Sequence, residues 1–122
     1  MNESPSLNNE QLWVNANDSA VALPDSHHVS EGHTPIVPRR AVTSIFDLDE
    51  NELIGCWRLL VAEKKRLEAA LQPDGFNVGV NIGEHAGQTV HHAHIHLIPR
   101  YRGDNPTPRG GIRAVNPERA SY

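Results

Sequence analysis

The sequence predicts an α+β domain: an antiparallel sheet with a helix on one face. Three observations predict it. Short apolar-rich runs with strand character recur in both halves of the chain. One long amphipathic segment, Asp49 to Leu71, stands between them. The last two alternating runs are joined by a short Gly-containing connection, the pattern of a hairpin. Short strands, then one helix, then a hairpin suit an antiparallel sheet rather than a parallel one.

The elements follow in order. Residues 1–11 (MNESPSLNNEQ) are polar and Asn-rich, offer nothing to bury, and are expected to be a flexible tail. Leu12-Trp13-Val14 reads as a short strand, Asn17-Asp18 as a turn, and Ala20 to Leu23 as a second strand. Pro24 to His28 is a polar connection. Thr34-Pro35-Ile36-Val37-Pro38 reads as a third strand, whose prolines suggest strand ends or an edge. Thr43 to Leu48 is long enough for one helical turn.

Asp49 with Glu52 three residues on is a capping box, and acids fill the first turn. The helix should run to Leu71 and stop at Gln72-Pro73-Asp74-Gly75. Leu53, Trp57, Leu60, Leu67 and Leu71 form its expected apolar stripe, interrupted by Lys64. Phe76 to Ile82 alternates as a strand, with Phe76, Val78, Val80 and Ile82 inward and Asn77, Gly79 and Asn81 outward. Residues 103–122, rich in Pro, Gly and Arg and without clear periodicity, are a C-terminal extension: a disordered tail or an arm draped over the domain. Its Arg109, Arg113 and Gly110-Gly111 could close on a phosphate or cross to a dimer partner, the expectation being that it orders on a partner subunit.

A chain of 122 residues supports one domain and one core. Its formal net charge of −4 argues against nucleic-acid binding through a broad basic surface. The single cysteine, Cys56, excludes an intrachain disulfide and a four-cysteine zinc site. No apolar run approaches the ~20 residues needed to span a bilayer, and the N-terminus has no apolar signal region. A soluble, cytoplasmic protein without membrane or nucleic-acid partners is expected.

The chemistry concentrates in His91-His92-Ala93-His94-Ile95-His96-Leu97-Ile98-Pro99. On a regular strand His92, His94 and His96 share one face at ~6.5–7 Å spacing, with Ala93, Ile95 and Leu97 on the core face. Pro99 marks a strand end or an edge. Three chemistries fit a row of imidazoles. One is metal binding, although three histidines spread over ~13 Å are too far apart to meet at one zinc ion. Another is nucleophilic attack on phosphorus, with flanking imidazoles holding anionic oxygens. The bland reading is solvated structural histidines, disfavoured for three on one face beside Asn81, Gly87, Gln88 and Thr89. His27, His28, His85 and His91 read as loop or site-edge residues.

His92-Ala93-His94-Ile95-His96-Leu97-Ile98 resembles the signature of the histidine-triad (HIT) family, His-φ-His-φ-His-φ-φ with φ apolar. Gly87-Gln88-Thr89 is similar to the family's Gly-Gln-Ser/Thr. Asp25, eight residues before Gly32-His33, resembles its N-terminal block. The resemblance covers roughly residues 13–102, hence a domain over 12–102. It implies a five-stranded antiparallel sheet with one long and one short helix, usually paired as a homodimer. It implies a hydrolase acting on phosphorus anhydride or phosphoramidate bonds. His94 would be the nucleophile on the α-phosphate, forming a nucleotidyl-histidine intermediate. His92 would support His94, and His96 and His33 would contact phosphate or the leaving group. Asp25 would bind the ribose, and Asn81, Gly87, Gln88 and Thr89 the phosphate.

The substrate would be a purine nucleotide, either a nucleoside phosphoramidate or a dinucleoside polyphosphate. The third histidine argues against the branch that transfers nucleotides to sugar phosphates, where glutamine replaces it. No metal ligand or cofactor is required of the protein, and a polyphosphate could bring its own Mg²⁺. The departures are His27-His28, His91 where many relatives have proline, and the absence of an N-terminal Cys-x-x-Cys. The rivals are a nucleotide-binding regulatory module with little turnover and a metal-binding protein.

Overall fold

The computed structural model describes residues 7–122. It holds five strands, β1 (Asn15–Ala16), β2 (Ala20–Ala22), β3 (Thr34–Pro38), β4 (Gly75–Gly79) and β5 (Ile95–Arg100), and one helix, α1 (Glu50–Leu71). The strands form a single sheet in the order β1-β2-β3-β5-β4, every neighbouring pair antiparallel. The first strand is later than expected: Glu10–Leu12 is a 3-10 turn capped by Asn9, and pairing begins at Asn15. Of the expected tail, residues 1–6 lie outside the described residues, while Leu7 packs against Val21, Leu23 and Val37. The Asn17 turn forms as expected, its Oδ1 accepting from the N–H groups of Ser19 and Ala20.

The prolines are not at an edge. Pro35 and Pro38 lie in β3, which is paired on both sides, and Pro99 lies in β5, between β3 and β4. Each missing N–H falls where a neighbouring strand has run out. By the alternation of an antiparallel ladder, the vacancy at Pro35 faces β2. There Pro35 stands opposite Leu23, one residue past β2, and its carbonyl still accepts the Leu23 N–H at 3.1 Å. The vacancy at Pro38 faces residues that precede β5. That at Pro99 faces Gly32, which precedes β3. A central strand tolerates proline when the ladder lacks a partner at that rung.

The capping box forms as predicted: Asp49 accepts from the Glu52 N–H, and the Glu52 carboxylate accepts from the Asp49 N–H. Gln72 ends the helix in the left-handed region at φ 51°. The single turn expected over 43–48 is the 3-10 turn Ile45–Asp47. The buried stripe of α1 is Cys56, Leu59, Leu60, Glu63 and Leu67. That is rotated from the expected one, leaving Leu53 39% and Trp57 58% exposed. The sheet covers the Cys56 side because Gly55 sits against Ser19, where any side chain would collide, and the Asn17 amide donates to the Gly55 carbonyl. Glu63, fully buried, is held by two-pronged bonds from Arg66 and by the Asn15 amide. Burial pushes the Cys56 thiol up to about 11, so it stays protonated and inert.

The sheet has two unlike faces. Ala20, Ala22, Ile36, Ile95 and Leu97 meet α1 in an aliphatic core. The opposite face carries Val21, Leu23 and Val37, covered by Trp13 and Leu7. β4 is shorter than the expected strand, so Val80, Asn81 and Ile82 belong to the connection leading to β5. Phe76 and Val80 pack on the core, whereas Val78 and Ile82 are each 37% exposed. Residues 103–122 include two short 3-10 turns, Gly111–Val115, which lies against β4, and Pro117–Arg119, which packs on the first.

Candidate active site

Only one of the three expected strand histidines is in a strand. β5 begins at Ile95, so His96 lies within it and His92 and His94 precede it. The reason lies at Pro38. Its carbonyl points toward β5 before β5 has started, and Ala93 donates instead to Val42. His92 turns inward, 3% exposed, and its Nε2–H donates to the Pro38 carbonyl at 2.8 Å. A buried carbonyl is thereby paired, and His92 leaves the surface that His94 and His96 share.

His94 is held by main chain. Its Nδ1 lies 2.9 Å from the His92 carbonyl. A carbonyl only accepts, so Nδ1 carries the proton and Nε2 is left with a free lone pair. The His94 and His96 rings meet edge to face, with centroids 4.8 Å apart.

The partner of His96 comes from the residue just before β3. Gly32, at φ 89°, packs so tightly on Leu71, Leu67 and Pro99 that a Cβ there would lie 2.8 Å from the Leu71 side chain. That turn delivers His33, 6% exposed, to the histidine face. The Val29 N–H donates to His33 Nδ1 at 3.2 Å. The proton of His33 is therefore on Nε2, which donates to His96 Nδ1 at 2.9 Å. His96 in turn carries its proton on Nε2, facing outward. Asp25 Oδ2 stands 3.3 Å from His33 Nε2 and 3.9 Å from His96 Nδ1. Asp25 is fixed there by its own N–H to the His33 carbonyl and by accepting the His27 N–H.

The electrostatics keep this pair neutral. Burial lowers the pKa of His33, against the opposing pull of Asp25. Burial, reinforced by His94 and His33, brings His96 down to about 4. At neutral pH His96 therefore stands as a neutral N–H donor beside the His94 ring.

Asp25, His33 and His96 also bring three ligand-type atoms within 4.8 Å of one another. A metal at that point would have to displace the His33 Nε2 proton. It would move to Nδ1, where Val29 already donates. The bond network suits a proton between the two rings better than a cation.

The remaining expected residues lie in the connection between β4 and β5. Gly87 caps the 3-10 turn Glu84–Ala86 at φ 95°, beside Asn81. Asn81 and Thr89 are exposed. Gln88 is fully engaged: its Oε1 accepts from Gly83 N–H, and its Nε2 donates to the Thr43 and Val90 carbonyls. It braces the loop against the segment before α1, and a phosphate contact would replace one of those bonds. His27, His28, His85 and His91 are exposed. A cleft of about 440 Å³ opens between the β2–β3 connection and the end of α1, lined in part by Asp25, His33, Leu67 and Leu71. It approaches Asp25 and His33 from the helix side, away from His94.

One contributor escaped the sequence: the Val29 N–H is a backbone group, invisible in residue type. The C-terminal arm was visible as an arm, from Arg109, Arg113 and Gly110-Gly111, but its seat was not. Gly79 pairs with His96 and so lies on the same face, and the Ile112 side chain fills the space above it, 3.3 Å from where a Cβ would stand.

Comparison with known proteins places these features. The chain matches the HIT domain family model over residues 6–103. It is 34% identical over 94 residues to an uncharacterized 16.1 kDa HIT-like protein of Mycoplasma pneumoniae, covering 77% of this chain and 65% of that one. It is 33% identical over 104 residues to a protein of Mycobacterium tuberculosis named AP-4-A phosphorylase, covering 84% of this chain and 53% of that one. The crystal structure of a HIT family protein from Bacillus anthracis superposes with a TM-score of 0.72 at 35% identity, covering 75% of this chain and 65% of the other. The chain thus spans less than two thirds of the length of these relatives.

Proposed function

The chain belongs to the HIT family, and from that premise we propose that it is a nucleotide hydrolase cleaving at the α-phosphate through a nucleotidyl-His94 intermediate. The observation that carries the reading is the His94 tautomer: Nδ1–H on the His92 carbonyl, Nε2 free. In the first step His94 Nε2 bonds to the α-phosphorus and the bond to the leaving group breaks. The positive charge arising on the imidazole is stabilised by the Nδ1–H···O=C bond. His96 presents Nε2–H to the phosphate oxygen or to the departing group. In the second step water attacks phosphorus and gives up a proton, to His96 where that ring has protonated the leaving group and otherwise to solvent; the P–Nε2 bond breaks, and His94 recovers its lone pair. Asp25 is suited to a ribose diol, exchanging its His33 contact for O–H donors. Asn81, Gly87 and Thr89 would face the phosphate, with Gln88 shaping their loop.

The substrate in this reading is a purine nucleoside phosphoramidate or dinucleoside polyphosphate. The likeness to a protein named for AP-4-A favours the second. No protein-held metal or cofactor is required, and a polyphosphate can bring Mg²⁺ with it. We place the enzyme in the cytoplasm, and no helix among the described residues is long and apolar enough to cross a membrane. We further propose a homodimer, joined through the face of α1 that the sheet leaves open: Leu53, Ile54, Trp57 and Val61.

The test is to incubate the protein with adenosine phosphoramidate and with diadenosine tetraphosphate and to follow AMP. Release from either, abolished in His94→Ala with nucleotide binding retained, supports the hydrolase. Tight binding without AMP from either would leave a binding module instead.

A further inference from the structure

The C-terminal segment lies outside the matched domain, which ends at residue 103, yet it forms one wall of the site. Gly79 is the last residue of β4 and pairs with His96, and Asn77 shares its face. Ile112 packs on Gly79, and Gly111 sits against the Asn77 amide, 3.3 Å from where its Cβ would be. Both seats depend on absent side chains: at Gly79 under Ile112, and at Gly111, whose φ of 51° is also left-handed. The segment closes on itself at Gly110 (φ 92°), where any Cβ would collide with the Ala120 carbonyl.

The segment is locally basic in a protein whose net charge is −4. Arg109, Arg113 and Arg119 outnumber Asp104 and Glu118, and Asp104 is already paired with Arg100. Among the described residues none of those three arginines has a carboxylate within ion-pair distance. Two of them are held together: Arg109 and Arg113 both approach the Tyr122 ring, at 5.6 and 4.8 Å from its centre. Arg113 is anchored by donating to the Arg119 carbonyl. Two like charges gathered on one ring, exposed and without counter-ions, are a preformed seat for an anion.

We propose that residues 104–122 are a distal subsite for the phosphate chain beyond the α-phosphate, with Arg109 and Arg113 as its charged contacts. The proposal rests on the hydrolase reading above and adds to it a choice of substrate: the arm favours a polyphosphate over a phosphoramidate, which has no distal phosphates.

The experiment compares the unaltered protein, Arg109→Gln/Arg113→Gln, and Ile112→Asp, which unseats the arm without removing charge from its arginines. Lys64→Gln, on the helix side of the sheet, controls for lost positive charge. Two readouts are taken: kcat/KM for diadenosine tetraphosphate against adenosine phosphoramidate, and calorimetric binding of inorganic tripolyphosphate. The expected result is a loss of about tenfold or more in kcat/KM for the tetraphosphate in both arm variants, carried by KM. In Arg109→Gln/Arg113→Gln the phosphoramidate value should not change, and in both arm variants tripolyphosphate affinity should fall in parallel. Equal losses on both substrates in the arginine variant, or no loss on either, overturn the proposal. If the unaltered protein releases no AMP, the hydrolase reading fails by itself. Tripolyphosphate binding that needs Arg109 and Arg113 then still supports the subsite, and its absence rejects it.

Discussion

His33 Nε2 lies 2.9 Å from His96 Nδ1, and a single proton serves both nitrogens. The Val29 N–H on His33 Nδ1 decides where it resides. That small arrangement fixes His96 as a neutral Nε2–H donor beside the His94 ring.

Nitrogen-15 NMR of the histidine rings tests it directly. At pH 7 His96 should be neutral with its proton on Nε2, and His94 should carry a proton on Nδ1. In His33→Ala the His96 tautomer is released and becomes a mixture. Turnover in His96→Ala should fall by about a hundredfold, the scale of losing a positioned proton donor.

The same pair makes stability pH-dependent. His96 is at about 4 in the folded chain against an ordinary value of 6.5, so between those values the unfolded chain binds more protons. Stability is complete above pH 6.5 and declines as pH falls from 6.5 through 4, by on the order of 3 kcal/mol from this residue. His33, also lowered, acts in the same direction. Urea melts at pH 7 and pH 4.5 should show the decline, and His96→Gln should flatten it. A stability that rises toward pH 4.5 would contradict the neutral pair.

His92 and His94 should separate stability from chemistry. His92→Ala leaves the buried Pro38 carbonyl unpaired and opens a void, costing roughly 2–4 kcal/mol. His94→Ala, in a half-buried position, should cost under about 1 kcal/mol while removing turnover. Denaturant midpoints beside AMP assays check both.

Glu63 sits with no exposed side-chain surface, gripped by Arg66 and Asn15. Arg66→Ala leaves that carboxylate without its ion partner and should destabilise by about 3 kcal/mol or more. Glu63→Leu should recover part of the loss in the Arg66→Ala background. Thermal melts of the single and double variants measure the difference.

If α1 is the dimer face, Trp57→Glu places a charge at its most exposed aromatic position. Sedimentation should then show a monomer where the unaltered protein is a dimer. A monomeric parent protein would remove this reading and leave the site untouched.

How much of this was legible beforehand depends on the kind of signal. Helix α1 was readable to the residue because Asp49 and Glu52 cap it locally and Gln72-Pro73 ends it. The sheet was readable from Ala20 to Leu23 and from Thr34 to Pro38, where apolar runs are strong. The histidine row was readable as a site, but its geometry was not. His92 faces inward because of a carbonyl 54 residues away, and no local period encodes that. The stripe on α1 was misplaced because an ion pair, Glu63 with Arg66, satisfies a buried charge that composition marks as exposed. Gly32 and Gly79 were visible as glycines, yet only tertiary contact shows what each makes room for.

The atom that sets the His94 tautomer belongs to the main chain. No point mutation can delete the carbonyl of residue 92, whichever side chain residue 92 bears. Asp25, His33 and His96 enjoy no such protection. In the proposed hydrolase, mutational drift can therefore erode selectivity and proton donation while the His94 Nδ1 proton keeps its acceptor. Descendants of such a gene would keep a reactive histidine long after losing preference for any one substrate. In directed evolution the same asymmetry recommends His94 as the fixed point, with libraries at Asp25, Asn81, Thr89, Arg109 and Arg113 to redirect it.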